Sequence, residues 1–352
     1  MGKIPNKLAG TMLVFGGAGF IGSNFIRYIL DKNGAVKIVN IDLLTYSGDL
    51  QNLKDVEKNS NYTFIKGDVA DTILVNRLAK KYKPDYIINF AAETHVDRSI
   101  HVGAREFIET NIVGVFNILE AIKTYKVKKY VQVSTDEVYG SLPLDSKNKF
   151  DESSPILPNA PYAATKAGGD LLCNAYYSTW KLPVVVTHCS NNYGPYQYPE
   201  KLIPFFVLRM IENKKLPMYG DGKNVRDWIH VEDHCRALEL CLLNGVPGQV
   251  YNIGADNEKN NLEIAGLILS FFGRDKSWLE FVSDRPGHDR RYAINNSKIK
   301  RELGWKPLKE FDEEFKKTVN WYIENPKWID HIRKKTNVFN PHIDLWRKHK
   351  IK

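Results

Sequence analysis

The sequence predicts a doubly wound α/β fold, a parallel sheet covered by helices on both faces, with a smaller second lobe toward the C-terminus. Three observations carry this. Short, near-continuous apolar runs alternate with amphipathic stretches over the first half of the chain, as when crossover helices bury a parallel sheet on both sides. A glycine-rich turn directly follows the first run. Beyond about Asn191 the alternation stops, and Pro and Gly recur at Gly194-Pro195, Pro199, Pro204, Pro217, Gly220 and Gly222.

The strand-like runs are Met12–Phe15, Lys37–Asp42, Tyr62–Ile65, Tyr86–Phe90, Tyr130–Ser134 and Val184–Thr187. Helical periodicity lies between them, at Ile21–Leu30 and at Phe107–Tyr125, where Phe107, Val115, Ile118, Leu119 and Ile122 fall on one stripe. A first domain is therefore expected over residues 11–190 and a second lobe over 191–325. Val231–Leu243 and Gln249–Ile253 read as a helix and a strand able to return to the first sheet, so residues 228–255 are assigned there. Residues 326–352 are aromatic and basic without clear period, and no role is assigned to them.

Composition narrows the function. Apolar residues make up 43% of the 352 positions and are spread along the chain, which argues against disorder. No run approaches the roughly 18 apolar residues of a membrane span, and the start, Met1-Gly-Lys-Ile-Pro-Asn, lacks a secretory signal's apolar core. Lys and Arg exceed Asp and Glu by 50 to 41. The cations are scattered, with short clusters such as the tail Arg347–Lys352, so the excess suits an anionic small molecule better than nucleic acid. Cys173, Cys189, Cys235 and Cys241 have no framework spacing, as expected for reduced thiols in the cytoplasm.

Gly16-Gly-Ala-Gly19-Phe-Ile-Gly22 satisfies G-x-G-x-x-G between a strand and a helix. A pyrophosphate needs backbone N–H groups at close range there, where a Cβ would obstruct. Asp42 ends the second strand twenty residues beyond Gly22, where an acidic side chain hydrogen-bonds ribose hydroxyls and repels a 2′-phosphate, favouring NAD over NADP. Asp68-Val69 and Ala91-Ala92 follow the third and fourth strands, at the end of the sheet where such folds bind ligands. Asp68 is also open to a plain helix-capping role.

Tyr162-Ala-Ala-Thr-Lys166 places a phenol and an ammonium one helical turn apart. A nearby cation favours the phenolate of a tyrosine otherwise too weak as a base at neutral pH. His230 and His234 have a spacing able to hold zinc, but lack the glutamate placing and third ligand of a zinc site, so no metal is expected.

Together Gly16–Gly22, Asp42, Ala91-Ala92, Ser134-Thr135 and Tyr162/Lys166 resemble the extended short-chain dehydrogenase/reductase superfamily, whose NAD domain is of Rossmann type. Within it, Asp42–Gly48, Ala91–Ile100, Ser134–Gly140, Asn191–Pro195 with Pro199–Pro204, Gly220–Trp228 and Asp284–Arg291 are similar to the dTDP-glucose 4,6-dehydratase family. The likeness runs from about Met12 to Asn325. It departs at Thr94, commonly Ser in the family, and at Gln197-Tyr198.

The resemblance implies a lyase that oxidises C4 of a nucleoside-diphosphate glucose, eliminates water across C5 and C6, and returns the hydride to C6. Tyr162, Lys166 and Thr135 belong to the oxidation, Asp136 is the acid and Glu137 the base. Adjacent carboxylates on a regular strand face opposite ways, so they can cooperate only where the strand ends. Cofactor contacts are implied at Phe20, Ile21, Thr45 and Thr110 besides the residues above. Substrate contacts are implied at His95, Thr135, Asn191, Lys201, Leu202, Pro217, Tyr219, Arg226, Asn261, Arg285 and His288. Arg285, Arg290 and Arg291 cannot be ranked by sequence. A homodimer through the Phe107–Tyr125 stripe and the helix at Tyr162 is implied as well. UDP-glucose 4,6-dehydratase and nucleotide-sugar 4-epimerase are the alternatives, and neither the base of the nucleotide nor the downstream pathway is readable.

Overall fold

The structure, a computed structural model, describes residues 7–101 and 103–335. The basic tail at 347–352 and most of the unassigned C-terminal stretch lie outside them. Along the chain, β1 (Gly10–Phe15), α1 (Phe20–Lys32), β2 (Val36–Asp42), β3 (Tyr62–Lys66), α2 (Thr72–Tyr82) and β4 (Tyr86–Asn89) open the alternation. Then come α3 (Val96–His101), α4 (Arg105–Ile108), a π-helical turn at Glu109–Val113, α5 (Gly114–Thr124), β5 (Lys129–Thr135), α6 (Pro161–Trp180) and β6 (Val184–Cys189). The second half holds β7 (Asn191–Tyr193), α7 (Leu202–Ile211), β8 (Leu216–Tyr219), β9 (Val225–His230), α8 (Val231–Asn244), β10 (Val250–Ile253) and β11 (Glu258–Asn260). It ends with α9 (Asn261–Phe271), β12 (Leu279–Val282), α10 (Ser297–Leu303), α11 (Phe311–Glu324) and α12 (Pro326–Lys335).

Seven strands pair in parallel in the order β3-β2-β1-β4-β5-β6-β10. The order reverses between β1 and β4, so the loops leaving their carboxyl ends part and open a crevice, the usual ligand position in such sheets. One face of the sheet is sealed by α1 and α8, with Phe25, Ile29, Leu238 and Cys241 packed on Met12 and Val14. The other face carries α2, α5 and α6. β10 adds to β6, and α8 packs on the main sheet, so this late segment belongs physically to the first core. A separate core joins α7, α9, α11 and α12 through Phe206, Ile268, Val319 and Trp328. Two small sheets, β11-β9-β7 and β12-β8, complete that lobe.

The stretch Phe107–Tyr125 is not one regular helix. The π turn at Glu109–Val113 inserts a wider turn, a feature that recurs at functional sites. Here it sets Asn111 where its amide donates to Glu93 O at 3.1 Å and to Thr165 Oγ1 at 2.9 Å, tying β4's loop to α6. The stripe Phe107, Val115, Ile118, Leu119 and Ile122 is buried within this chain, so it is unavailable to a partner subunit and the interface expected there is corrected. The outer face carries Ile108 and Phe116, and Leu171 on α6 is exposed as well, each more than 40%. A helix presents both faces at the same period, and only the packed neighbours show which one is already taken.

Candidate active site

β1 ends in the glycine loop. Gly16 has φ +74°, and a Cβ on it would lie 2.4 Å from Ala91 N; one on Gly22 would lie 2.4 Å from Gly16 O. Both glycines are therefore required by the chain's own packing. Gly19 is different: the nearest atom to its Cβ would be Gly16 O at 3.5 Å, an ordinary contact. The fold alone does not need glycine there. A ligand backbone-close to that point does, and Gly19 is the N-cap of α1 with no side chain capping the helix. The first amides of α1 and the positive end of its dipole are thus left for an anion.

Asp42 closes β2. Its two carboxylate oxygens accept from Ala18 N at 2.9 Å and Leu44 N at 2.8 Å, so it braces the glycine loop while lining the crevice. Burial raises its pKa, opposed by those amides and by Lys335. Asp68 does not cap α2; that is done by Asp71, which accepts from Leu74 N, while Asp68 accepts from Ala70 N. One continuous cavity is lined by Gly16, Gly19, Phe20, Ile21, Gly22, Asp42, Thr45, Asp68, Val69, Ala91, Ala92 and Thr110, and it runs on to Thr135, Tyr162 and Lys166. Its shape and donors fit a dinucleotide.

At its inner end, α6 presents Tyr162 and Lys166, both buried. Lys166 Nζ donates to Val133 O at 2.7 Å, and the Tyr162 hydroxyl is hydrogen-bonded to Thr135, the last residue of β5. Burial pushes the Tyr162 phenol well above its ordinary value, and Glu137 adds to the rise. Burial lowers the Lys166 pKa as well, with Asp170 one turn on opposing the loss, so the nearby cation that favours the phenolate acts against burial here.

The strand does end where the two carboxylates begin. Residues Asp136–Tyr139 form a 3-10 turn capped by Thr135, whose Oγ1 accepts from Glu137 N at 3.3 Å, and Gly140 follows at φ +85°. Asp136 is 2% exposed and its Oδ2 has no partner. Burial and then Glu137 raise its pKa well above the carboxylate range, so it is held protonated. Burial raises Glu137 as well, but Arg285, Lys201 and Arg226 oppose the rise. Two neighbouring carboxyls are thus raised unequally, Asp136 the more strongly while three cations act on Glu137, the arrangement of an acid beside a base.

A second cavity opens on the far side of Glu137. It is lined by His95, Asn191, Lys201, Leu202, Pro217, Tyr219, Arg226, Asn261, Arg285 and His288, and it shares Thr94, Glu137, Asn191, Glu200 and Lys201 with the first. The arginines now separate. Arg285 lines this cavity, its Nη1 3.5 Å from Asp97 and its Nε buried without a hydrogen-bond partner, whereas Arg290 pairs with Asp221 at the surface and Arg291 with Glu258, both away from the cavity lining. His230 caps α8, accepting from Glu232 N, and His234 bonds Asn192 Oδ1 at 2.9 Å, with burial lowering its pKa to about 3. Among the described residues no cluster of three metal-ligating side chains forms.

Sequence reasoning gave no role to several residues here. Asp170 accepts from Ser134 Oγ at 2.6 Å and lies 3.2 Å from His188 Nε2, forming a buried floor under Lys166. Its i+4 spacing from Lys166 was the available signal. Glu93, Gln197, Tyr198 and Glu200 line the first cavity, and burial raises Glu93 to about 7.

The model of the GDP-mannose 4,6 dehydratase family matches residues 13–318. A dTDP-glucose 4,6-dehydratase of Xanthomonas campestris pv. campestris is 45% identical over 340 residues, covering 92% of this chain and 95% of that protein. The chain belongs to the dTDP-glucose 4,6-dehydratase family. The dTDP-glucose 4,6-dehydratase of Bacillus anthracis, crystallised in complex with NAD, is 49% identical, covers 92% of this chain and all of its own, and superimposes with a TM-score of 0.86. That of Streptomyces venezuelae, with NAD and TYD bound, is 46% identical over 92% of this chain and 99% of its own, with a TM-score of 0.88. A UDP-glucose 4-epimerase of Thermotoga maritima shares the scaffold at 28% identity and a TM-score of 0.83, covering 90% of this chain and 99% of its own. The dehydratase family and the epimerases thus share a fold, and side chains must separate them.

Proposed function

We propose that this protein is an NAD-dependent hydro-lyase that converts dTDP-glucose to its 4-keto-6-deoxy sugar and water. One observation carries the choice of dehydration over epimerisation: a buried, protonated Asp136 stands beside Glu137 at the junction of the two cavities. An epimerase needs Tyr162, Lys166 and the cofactor, but has no use for that acid and base. Bound NAD supplies a positively charged two-electron acceptor that takes the C4 hydride and later gives it back at C6.

The chain's own groups handle the protons. Tyr162, positioned through Thr135 and Lys166, takes the C4 hydroxyl proton. The resulting ketone acidifies C5–H, and Glu137 removes that proton. Asp136 then protonates the C6 oxygen as it leaves as water, and C5 is reprotonated as the hydride returns to C6. Gly19 and the N-terminus of α1 receive the cofactor pyrophosphate, and Asp42 its ribose. Arg226 and Arg285 face the substrate diphosphate, for which a guanidinium offers paired donors. In this reading residues 11–190 with 228–255 hold the cofactor and 191–325 the sugar nucleotide. Substrate deuterated at C4 is expected to give product with deuterium at C6; protium at C6 would overturn the reaction. The names of the relatives support dTDP- over UDP-glucose, and comparison of the two substrates with purified enzyme tests it: equal or greater kcat/KM with UDP-glucose would reverse the assignment.

The protein acts as a homodimer through the outer faces of α4, α5 and α6, where Ile108, Phe116 and Leu171 stand exposed beside Gly168, on which a Cβ would press Ile112 at 3.0 Å. Leu171→Arg is expected to halve the mass seen by light scattering, because a buried charge without a partner outweighs the apolar contact. A wild-type monomer at micromolar concentration would sink the dimer. Cytoplasmic residence is supported by four buried, unpaired cysteines; no described helix is long and apolar enough to cross a membrane.

A further inference from the structure

The wall of the cofactor cavity beyond Asp42 is formed by Leu43, Thr45, Ser47 and Gly48. It is a loop, with little regular structure before the 3-10 turn at Leu50–Leu53. Its inner side is tied to the glycine loop at one carbonyl, since Asp49 N and Asn52 Nδ2 both donate to Ala18 O, at 3.0 and 2.9 Å. Its outer side is held by α12, which comes from the other lobe. Trp328 Nε1 donates to Asn52 Oδ1 at 2.8 Å. His331 Nε2 lies 3.0 Å from Asp49 Oδ2. Lys335 reaches Gly48 O and lies 3.6 Å from Asp49 Oδ2.

The opposite side of α12 is anchored. Trp328, Ile329 and Ile332 are buried in the second core, with Trp328 packed against Trp321 at a ring separation of 5.2 Å. α12 therefore fastens the loop that walls the cofactor to the body of the sugar-binding lobe. Asn52 is the pivotal group: one end of its amide takes the Trp328 hydrogen bond and the other gives one to the glycine loop.

We infer that α12 is a strap that holds the adenosine end of the cavity closed, and that Trp328 and His331 are positioning residues that set how long the dinucleotide stays bound. The reaction supplies the need, because a hydride removed at C4 and returned at C6 requires the same cofactor molecule throughout. The inference rests on the reading that this cavity takes NAD. Opening the wall means breaking the α12 contacts, so removing them shortens the residence time.

The test uses the full-length holoenzyme and measures exchange of bound NAD for isotopically labelled NAD after rapid desalting. Trp328→Phe keeps the ring in the core and deletes the donor; His331→Ala deletes the second contact. The double variant is expected to exchange about 10-fold faster, the scale set by one or two net hydrogen bonds, with KM for the sugar nucleotide unchanged. His331→Gln, which keeps a donor, should restore part of the slow exchange. Ile299→Val, in the first core away from α12, serves as a stability control and should leave exchange unchanged. Wild-type exchange rates in the folded double variant would overturn the strap. So would equal acceleration in the Ile299→Val control, which would reduce the effect to general loosening. A wild-type protein that binds no NAD would instead overturn the cofactor reading, and the two failures are told apart by that single measurement.

Discussion

Tyr162→Phe enzyme is expected to bind both ligands and turn over ~10²–10⁴-fold more slowly than wild type, the usual loss when a positioned acid or base is removed. The ring stays in place against Phe107, edge-on at 6.4 Å, so the fold is preserved while the hydroxyl shared with Thr135 is gone. The step lost is the first one. No 4-keto sugar forms, solvent deuterium does not enter at C5, and nicotinamide absorbance does not change on mixing with substrate. Rapid C5 exchange in this variant would show that another group oxidises C4, and the assignment of Tyr162 would be wrong.

Glu137→Gln and Asp136→Asn should fail later, and differently from each other. Each is expected to lose ~10²–10⁴-fold in product formation. With Glu137→Gln the C4 oxidation still proceeds, a 4-keto hexose accumulates in single turnover, and C5 keeps its proton in deuterated solvent. With Asp136→Asn the base is intact, so C5 exchanges with solvent while loss of the C6 oxygen is slow. The pH dependence follows from the same pair. Glu137 must be ionised, so rate falls as pH drops through its raised pKa. Asp136 must be protonated, so rate falls as pH climbs through its more strongly raised one. The two limbs belong to the coupled pair, not to either residue alone. Removing Asp136 should abolish its alkaline limb at the residual rate. If both variants block C5 exchange equally, the division into acid and base does not hold.

Much of this molecule was legible in its sequence because the signals are local. The doubly wound sheet follows from apolar runs of strand length set between amphipathic stretches, since each strand is buried by helices adjacent to it in sequence. The nucleotide loop follows from Gly16–Gly22 and Asp42, because a strand, a tight turn and a helix fix one another over thirty residues. Tyr162 and Lys166 are one helical turn apart, so their association needs no tertiary knowledge. For Asp136 and Glu137 the sequence set a condition, that the strand end there, and the 3-10 turn at Asp136–Tyr139 meets it.

Tertiary packing decided what depends on neighbours distant in the chain. Which arginine faces the second cavity was settled by its carboxylate partner: Asp221 and Glu258 hold Arg290 and Arg291 away from it, while Asp97, itself in the lining, holds Arg285 there. The helix stripe read as an interface turned out to be core, because periodicity marks an apolar face without saying what covers it. Charge states behaved likewise: a nearby cation favours the Tyr162 phenolate and is legible as spacing, while the burial that opposes it is a property of the assembled fold. The segment after Asn325 shows the limit most clearly. Its aromatic and basic residues have no clear local period, yet Trp328 and His331 meet Asn52 and Asp49 across almost the whole chain. Contacts at that separation are made by two lobes closing on each other, and no pattern within either segment encodes them.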